Sequence, residues 1–512
     1  MASHHLVDYG QLIFALKENK ICNMSTKVAK NTAYLMTAFI GQKVLAFVYF
    51  TIVARSVGVE GAGRYFLAVS FATIFAVFLD LGLSNVLIRE TAKRPDDAPK
   101  LLATAIGIKA LMAGLVVAVT NLAAWLLGYP GETRLMILIA SLAMVVDTLH
   151  LAWYGVMRGR QNLKFEAVGV VVGQAVTLGF GGLFLWLGWP LPWLVVALLI
   201  NTVWNAVWAY LNLKRRFGFS PLRIHLDPGT LRFFWSVTIP FALAGIFARV
   251  YSYIDSVMLS RLADETAVGH YGVAYKITFS FQCLAMSFAA AVYPAMSAAC
   301  VDQRERLAGL MTISVKYLLL VAAPIITGIY VLAGPLIRVI YGPEFQGSVL
   351  PLQVLIFSLL FAFLYWPAGS LLNADDRQKA NTTVMGLTMV LNIVLNAVLL
   401  PRLGAVGASW ASVASNFLLF AGALWVVGRR VTRLNWRQML DSSARAVAAT
   451  VLMGFLVWYA HHRLALIPSI LVGVVSYPTA LVVFRAITVK EIKSLFNVLL
   501  KRGQTVSDLT MT

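Results

Sequence analysis

Lys43, Lys109, Arg249, Lys276, Lys316 and, at a helix edge, Arg445 lie within stretches that are otherwise apolar, as do the acids Asp80, Asp147 and Asp255. A charge at the centre of a membrane helix costs on the order of 3 kcal/mol, so a chain that keeps one there gives it a wet cavity or a partner. Snorkelling to an interface accounts for Lys109 and Lys316, which fall near the cytoplasmic ends of their helices. It does not account for Lys43 and Arg249, each about 13 residues into its helix and so roughly 20 Å along it. The three acids either balance the lysines structurally or bind a coupling proton or sodium ion. Against them stand five clearly embedded bases, which leaves the interior net positive and suited to an anionic ligand.

The deep cation occurs twice because its surroundings occur twice. KVLAFVYFTIVARSVGVEGAGRYFLA starts at Lys43, and RVYSYIDSVMLSRLADETAVGHYGVA starts at Arg249. At one ungapped offset, Arg55 falls on Arg261, Gly63-Arg64-Tyr65 on Gly269-His270-Tyr271, and Ala68 on Ala274. Lys109 and Lys316 echo each other one residue out of that register. So long a period is no solenoid repeat. It is the mark of a duplicated membrane half.

Composition sets the class. The 512 residues are 60% hydrophobic and 12% charged, and mean hydropathy is +0.78. Apolar runs of about 20 residues recur throughout, as in a polytopic membrane protein. The opening residues are mixed polar, so no cleavable signal peptide is expected. Cys22, Cys283 and Cys300 have no metal-ligand spacing, and His4/His5 and His461/His462 lack further ligands.

Expected spans are 29–57, 65–88, 101–127, 135–156, 165–187 and 191–213, then 233–259, 267–298, 310–332, 350–372, 382–400 and 408–427, and finally 444–459 and 466–484. This is an all-α polytopic chain of about 14 transmembrane helices, six plus six plus two. The organisation read from it is a cytoplasmic N-terminal segment (1–27), a first lobe (28–217), a linker (218–231), a second lobe (232–430), two closing helices (438–486) and a tail (487–512). With a cytoplasmic N-terminus, roughly 29 basic residues fall in inside segments and about 7 outside, which sets the orientation. The inside set includes Arg89, Lys93, Arg94, Lys100, Arg158, Arg160, Lys164, Lys214 to Arg216, Arg429, Arg430, Arg433, Arg437 and the tail from Lys490 to Arg502. Both termini then lie in the cytoplasm, and Trp186, Trp189 and Trp193 form an outer aromatic belt. The formal charge of +20 is thus a matter of membrane orientation, with no nucleic-acid partner implied.

Gly169 and Gly173, with Gly179, Gly181 and Gly182, allow close helix contact on the fifth span. Pro240, Pro294, Pro324 and Pro367 interrupt helices and supply bends. No loop is long enough for a globular domain, and no G-x-x-x-x-G-K-[ST] loop is present. Nucleotide-driven pumps and membrane enzymes with a catalytic outer loop are therefore disfavoured, and no enzyme activity is expected.

ARSVGVEGAGRYFLAVSF with FLDLGLSNVLIRETAK, IPFALAGIFARVYSYIDSVMLSRL with AVGHYGVAYK, and LNIVLNAVLLPRLGAVGASWASVASN resemble the polysaccharide-export flippases, the oligosaccharidyl-lipid branch of the MOP superfamily. The likeness runs from about Val28 to Phe484. It implies two six-helix lobes around a central cationic cavity, and transport of a polyprenyl-diphosphate-linked glycan to the outer leaflet of the cell membrane. It places Lys43 and Arg249 in the cavity, with Arg55 and Arg261 at its outer mouth; Lys276, Lys109 and Lys316 are candidate lining cations by their embedded positions alone. Lysine at position 43 departs from an arginine-rich cavity and grips phosphate as a point charge. Membrane lipids and other polysaccharide-assembly proteins are the implied partners. No cofactor is implied beyond a coupling proton or sodium ion, or the membrane potential. The rival within the superfamily is a cation-coupled multidrug exporter, which calls for acids to dominate the cavity. A non-transporting scaffold for envelope assembly is the reading from another class.

Overall fold

The computed structural model describes residues 6–218, 224 and 227–487. The expected tail (487–512) lies outside these almost entirely, as does half of the linker, and the Cys22 and Pro240 side chains also fall outside. The described residues contain no strand. Eleven of the helices are long and apolar enough to cross a membrane, or up to twelve if one bent pair is a single span.

The helices are α1 (Leu6–Asp80), α2 (Leu83–Lys93), α3 (Ala98–Leu126), α4 (Gly131–Gly159), α5 (Lys164–Trp186), α6 (Pro192–Phe217), α7 (Pro228–Leu262), α8 (Glu265–Ser280), α9 (Gln282–Asp302), α10 (Arg304–Ile340), α11 (Val349–Leu355), α12 (Ser358–Ala374), α13 (Gln378–Arg430), α14 (Trp436–His461) and α15 (Leu466–Val483). α1 and α13 are far too long for one crossing, and each contains one non-helical residue. Gly58 has φ 73° and ψ −176°, and Gly404 has φ 51° and ψ −129°. Side chains other than hydrogen are strained there, so these glycines are where the chain can turn.

Three expected spans are discontinuous. The second breaks at Leu81 and Gly82, both with positive φ, which separate α1 from α2. The eighth breaks at Phe281, between α8 and α9. The tenth is two pieces, with a bend of 42° between Pro343–Leu355 and Ser358–Ala374. The prolines expected to supply bends do not mark these breaks: Pro294, Pro324 and Pro367 all lie inside helices that continue past them.

The chain forms two compact groups. The first comprises Met1–Tyr49, Phe78–Gly128 and Leu138–Ala242. Its core joins Leu87, Leu102, Ile106, Trp153, Tyr154, Met157, Phe165 and Leu213 from α2 to α6. Arg158 on α4 and the buried Glu166 on α5 form an ion pair there. Asp227 caps the start of α7 by accepting from the Thr230 amide at 2.8 Å, and Lys100 approaches the same carboxylate to 3.1 Å.

The second group comprises Phe50–Val77, Tyr129–Ile137 and Leu243–Thr512. In it α10 packs on α14 and α15 through Leu319, Leu320, Ala323, Ala446, Ala449 and Leu481. Tyr477 on α15 donates to the Leu320 carbonyl at 2.7 Å.

Candidate functional site

In the first group, Lys43 stands exposed on α1, and no ion pair among the described residues involves it. Lys109 on α3 behaves differently: its side chain is only 1% exposed, and Nζ donates to Asp80 Oδ1 at 2.5 Å. Snorkelling is therefore not what Lys109 does; its charge is met inside the helix bundle. Ser84 Oγ donates to the same Asp80 oxygen at 2.5 Å. On α4 Asp147 is half-buried, with His150 Nε2 3.6 Å from its Oδ1. His150 itself is buried and meets Tyr154 edge-on, and Tyr154 donates to Asn205 on α6 at 3.0 Å.

In the second group, Asp255 on α7 is 3% exposed and surrounded by neutral donors. Tyr271 Oη donates to Oδ2 at 2.6 Å and Ser412 Oγ to the same oxygen at 2.7 Å; Asn396 Nδ2 donates to Oδ1 at 2.6 Å. All three donors are neutral, and no ion pair among the described residues involves Asp255. Residues from α7, α8 and both halves of α13 meet at this one group, so it fixes their relative placement.

Arg249 is exposed on α7 and, like Lys43, enters no ion pair among the described residues. Lys276 Nζ lies 5.3 Å from the Phe50 ring centroid and 5.7 Å from that of Phe66, a cation held against two aromatic faces. Lys316 Nζ is 5.7 Å from the Tyr317 ring centroid. Arg55 Nη1 donates to the Val339 carbonyl at 3.3 Å, at the C-terminal end of α10, where a cation also meets the negative end of the helix dipole. Arg261 stacks over the Tyr129 ring at 3.9 Å. Arg445, expected at a helix edge, lies inside α14 and pairs with Asp441 at 2.8 Å.

The embedded charges thus sort by environment. Lys109 and Asp80 satisfy each other; Asp147 has His150; Asp255 has only neutral partners; Lys43 and Arg249 keep exposed, unneutralised heads. Tyr271, Asn396 and Ser412 were not among the sequence candidates. Their signals were faint: an i, i+4 spacing of Asn392 and Asn396 in LNIVLN, and the repeat of Tyr65 at Tyr271.

A family model described as polysaccharide biosynthesis protein matches residues 28–300, and one described as MatE matches residues 240–398. The probable low-salt glycan biosynthesis flippase Agl15 of Haloferax volcanii is 22% identical over 478 residues, covering 91% of this chain and 98% of its own. The lipid II flippase MurJ, in an inward closed conformation, superposes with a TM-score of 0.70 at 16% identity, over 91% of this chain and 99% of that one. An inward-facing multidrug resistance MATE transporter of the MOP superfamily gives 0.61 at 15% identity, over 75% and 93%. At such identities the two structural likenesses speak for the fold alone. The family model covers more than half of the 512 residues, and on that ground this chain belongs to the polysaccharide biosynthesis protein family.

Proposed function

We propose that this chain is a flippase that moves a polyprenyl-diphosphate-linked oligosaccharide from the cytoplasmic to the outer leaflet of the cell membrane, for cell-surface polysaccharide biosynthesis. One observation carries the reading: both halves of the duplication keep a deep cation, Lys43 and Arg249, and each is exposed and unneutralised among the described residues. Paying about 3 kcal/mol twice for an unpartnered charge makes sense if an anionic ligand supplies the partner. A diphosphate is such a ligand, and its polyprenyl tail can stay in lipid while the headgroup crosses. The family membership and the flippase relative support the same cargo class.

In this reading the protein works by alternating access, its repeats related by an axis along the membrane normal. Splitting α1 at Gly58 and α13 at Gly404 makes fourteen crossings of the chain, with both termini cytoplasmic. Arg55, Arg261, Lys276, Lys109 and Lys316 contribute positive potential along the path, with Lys109 already balanced by Asp80. Of the three embedded acids, Asp255 is the one assigned to a coupling proton or sodium ion, since only neutral groups touch it. An inside-negative potential adds about 2.3 kcal/mol per 100 mV for each net negative charge carried outward. The remaining polysaccharide-assembly machinery is the expected protein partner.

The MatE match over residues 240–398 keeps a multidrug exporter as the second reading. The test separates them. Lys43→Ala and Arg249→Ala should leave protein level and melting temperature near the parent's and cripple delivery of lipid-linked glycan to the outer leaflet. Lys43→Arg should retain delivery, and Lys43→Glu should fall below Lys43→Ala. Full delivery by the double alanine variant overturns the proposal, and saturable binding of cationic dyes by the purified protein favours the exporter.

A further inference from the structure

Arg64 gathers three carboxylates. Its Nε donates to Glu265 at 2.5 Å, its Nη1 to Glu132 at 3.1 Å, and its Nη2 to Glu60 at 2.5 Å. Glu60 lies one turn earlier on the same helix, whereas Glu132 and Glu265 stand in the first turns of α4 and α8. A planar guanidinium can serve three acceptors at once, which a lysine ammonium on its flexible stem does less well. The Arg64 side chain is 29% exposed and that of Glu265 18%, so the clamp sits at a rim rather than in the core.

Beneath the clamp two helices touch backbone to backbone. A methyl group on Gly63 would overlap the Glu265 carbonyl oxygen, and one on Gly269 would overlap the Val59 carbonyl oxygen. In the duplicated sequence Val59 aligns with Glu265 and Gly63 with Gly269. The contact is therefore isologous: each repeat offers its glycine to the same carbonyl of the other. Ala62 and Val268 beside it are wholly buried. Arg64 breaks the symmetry, because its counterpart His270 instead places Nδ1 3.0 Å from Ser348 Oγ.

We propose that the Gly63–Gly269 seam and the Arg64 clamp form a latch that shuts the outer end of the two repeats and must part in every transport cycle. The proposal rests on the flippase reading and its orientation. A seam of glycines has no interlocked side chains to extract when it separates. The ions of the clamp lie where water can replace each partner as it leaves, unlike Lys109 and Asp80, whose separation strands a buried charge. Three acids on one base also leave the opened rim net negative, so it does not retain an anionic cargo.

The experiment reads the latch without any cargo. The full-length protein, with Cys22, Cys283 and Cys300 changed to Ser and Ala62→Cys added, is purified in detergent and treated with a maleimide. Labelling should be slow in that background and rise about tenfold with Arg64→Ala, as local opening exposes a buried position. Gly63→Leu should raise it as well, and Arg64→Lys should fall between. A cysteine at Ala408, buried on α13, which supplies no residue to the clamp or the glycine contact, must stay unlabelled in each variant. Should Arg64→Ala expose Ala408→Cys too, the milder Glu265→Gln decides by the same two labels. Unchanged labelling of Ala62→Cys in a folded variant overturns the latch. Failure of the flippase reading shows elsewhere, as normal glycan delivery by the Lys43→Ala, Arg249→Ala variant, whatever the labels do.

Discussion

Lys109 and Asp80 show how little a residue's position along a helix says about its surroundings. Both were recognisable in the sequence as embedded charges, and distance from the helix end suggested that Lys109 reaches an interface. The side chain instead points into the bundle, to an acid on another helix. Which way a side chain faces depends on packing, and no periodicity in an all-apolar helix reports it. Removing one member of a buried pair typically costs about 3–5 kcal/mol because the other is left unpaired. Asp80→Ala is therefore expected to lower the melting temperature of the purified protein sharply, and Lys109→Leu introduced alongside it should restore most of the loss. A single Asp80→Ala variant that melts like the parent would show that Lys109 finds solvent after all. The Asp255 cluster was legible only in part: the acid stood out by its charge, but its donors are ordinary neutral residues gathered from α8 and the two halves of α13.

Among the elements, α5 was the most readable. Gly169 and Gly173 marked a contact face, and α6 is the neighbour that uses it. A methyl group on Gly173 would overlap the side-chain amides of Asn201 and Asn205, and one on Gly169 would overlap the Tyr154 hydroxyl. Gly179 and Gly182 face open space, so the glycine run is a contact along one stripe only. Gly173→Leu should push α5 from α6 and reduce both the folded yield and the melting temperature, whereas Gly182→Leu should do neither. Equal behaviour of the two variants would refute the contact. Helix breaks were much less readable. Phe281 interrupts a span with neither glycine nor proline nearby, while Pro294, Pro324 and Pro367 sit inside helices that continue past them. Proline weakens one bond locally, but tertiary packing decides whether the helix parts there.

For the molecule as a whole, hydropathy and the excess of basic residues in alternate loops carried most of the information, because a bilayer imposes both from outside. The all-α polytopic class follows from hydropathy, whereas the family rests on the likeness of particular motifs and on the matching family model. Orientation yields a direct expectation. With Cys22 and Cys283 replaced by Ser, Cys300 at the end of α9 should be protected from an impermeant maleimide in intact cells and react after permeabilisation. Labelling before permeabilisation would turn the topology over.

The glycine seam also carries a record of ancestry. A half-length chain with Gly63 facing the carbonyl of residue 59 would meet its own copy in the same way, making the contact twice about a two-fold axis. In such a homodimer every mutation strikes both sides at once, so the site can only become more or less symmetric together. Gene fusion lifts that restriction. Arg64 and His270 now occupy equivalent positions yet bind three carboxylates in one case and Ser348 in the other. The glycines have stayed alike where backbones touch, and the residues next to them have been free to diverge.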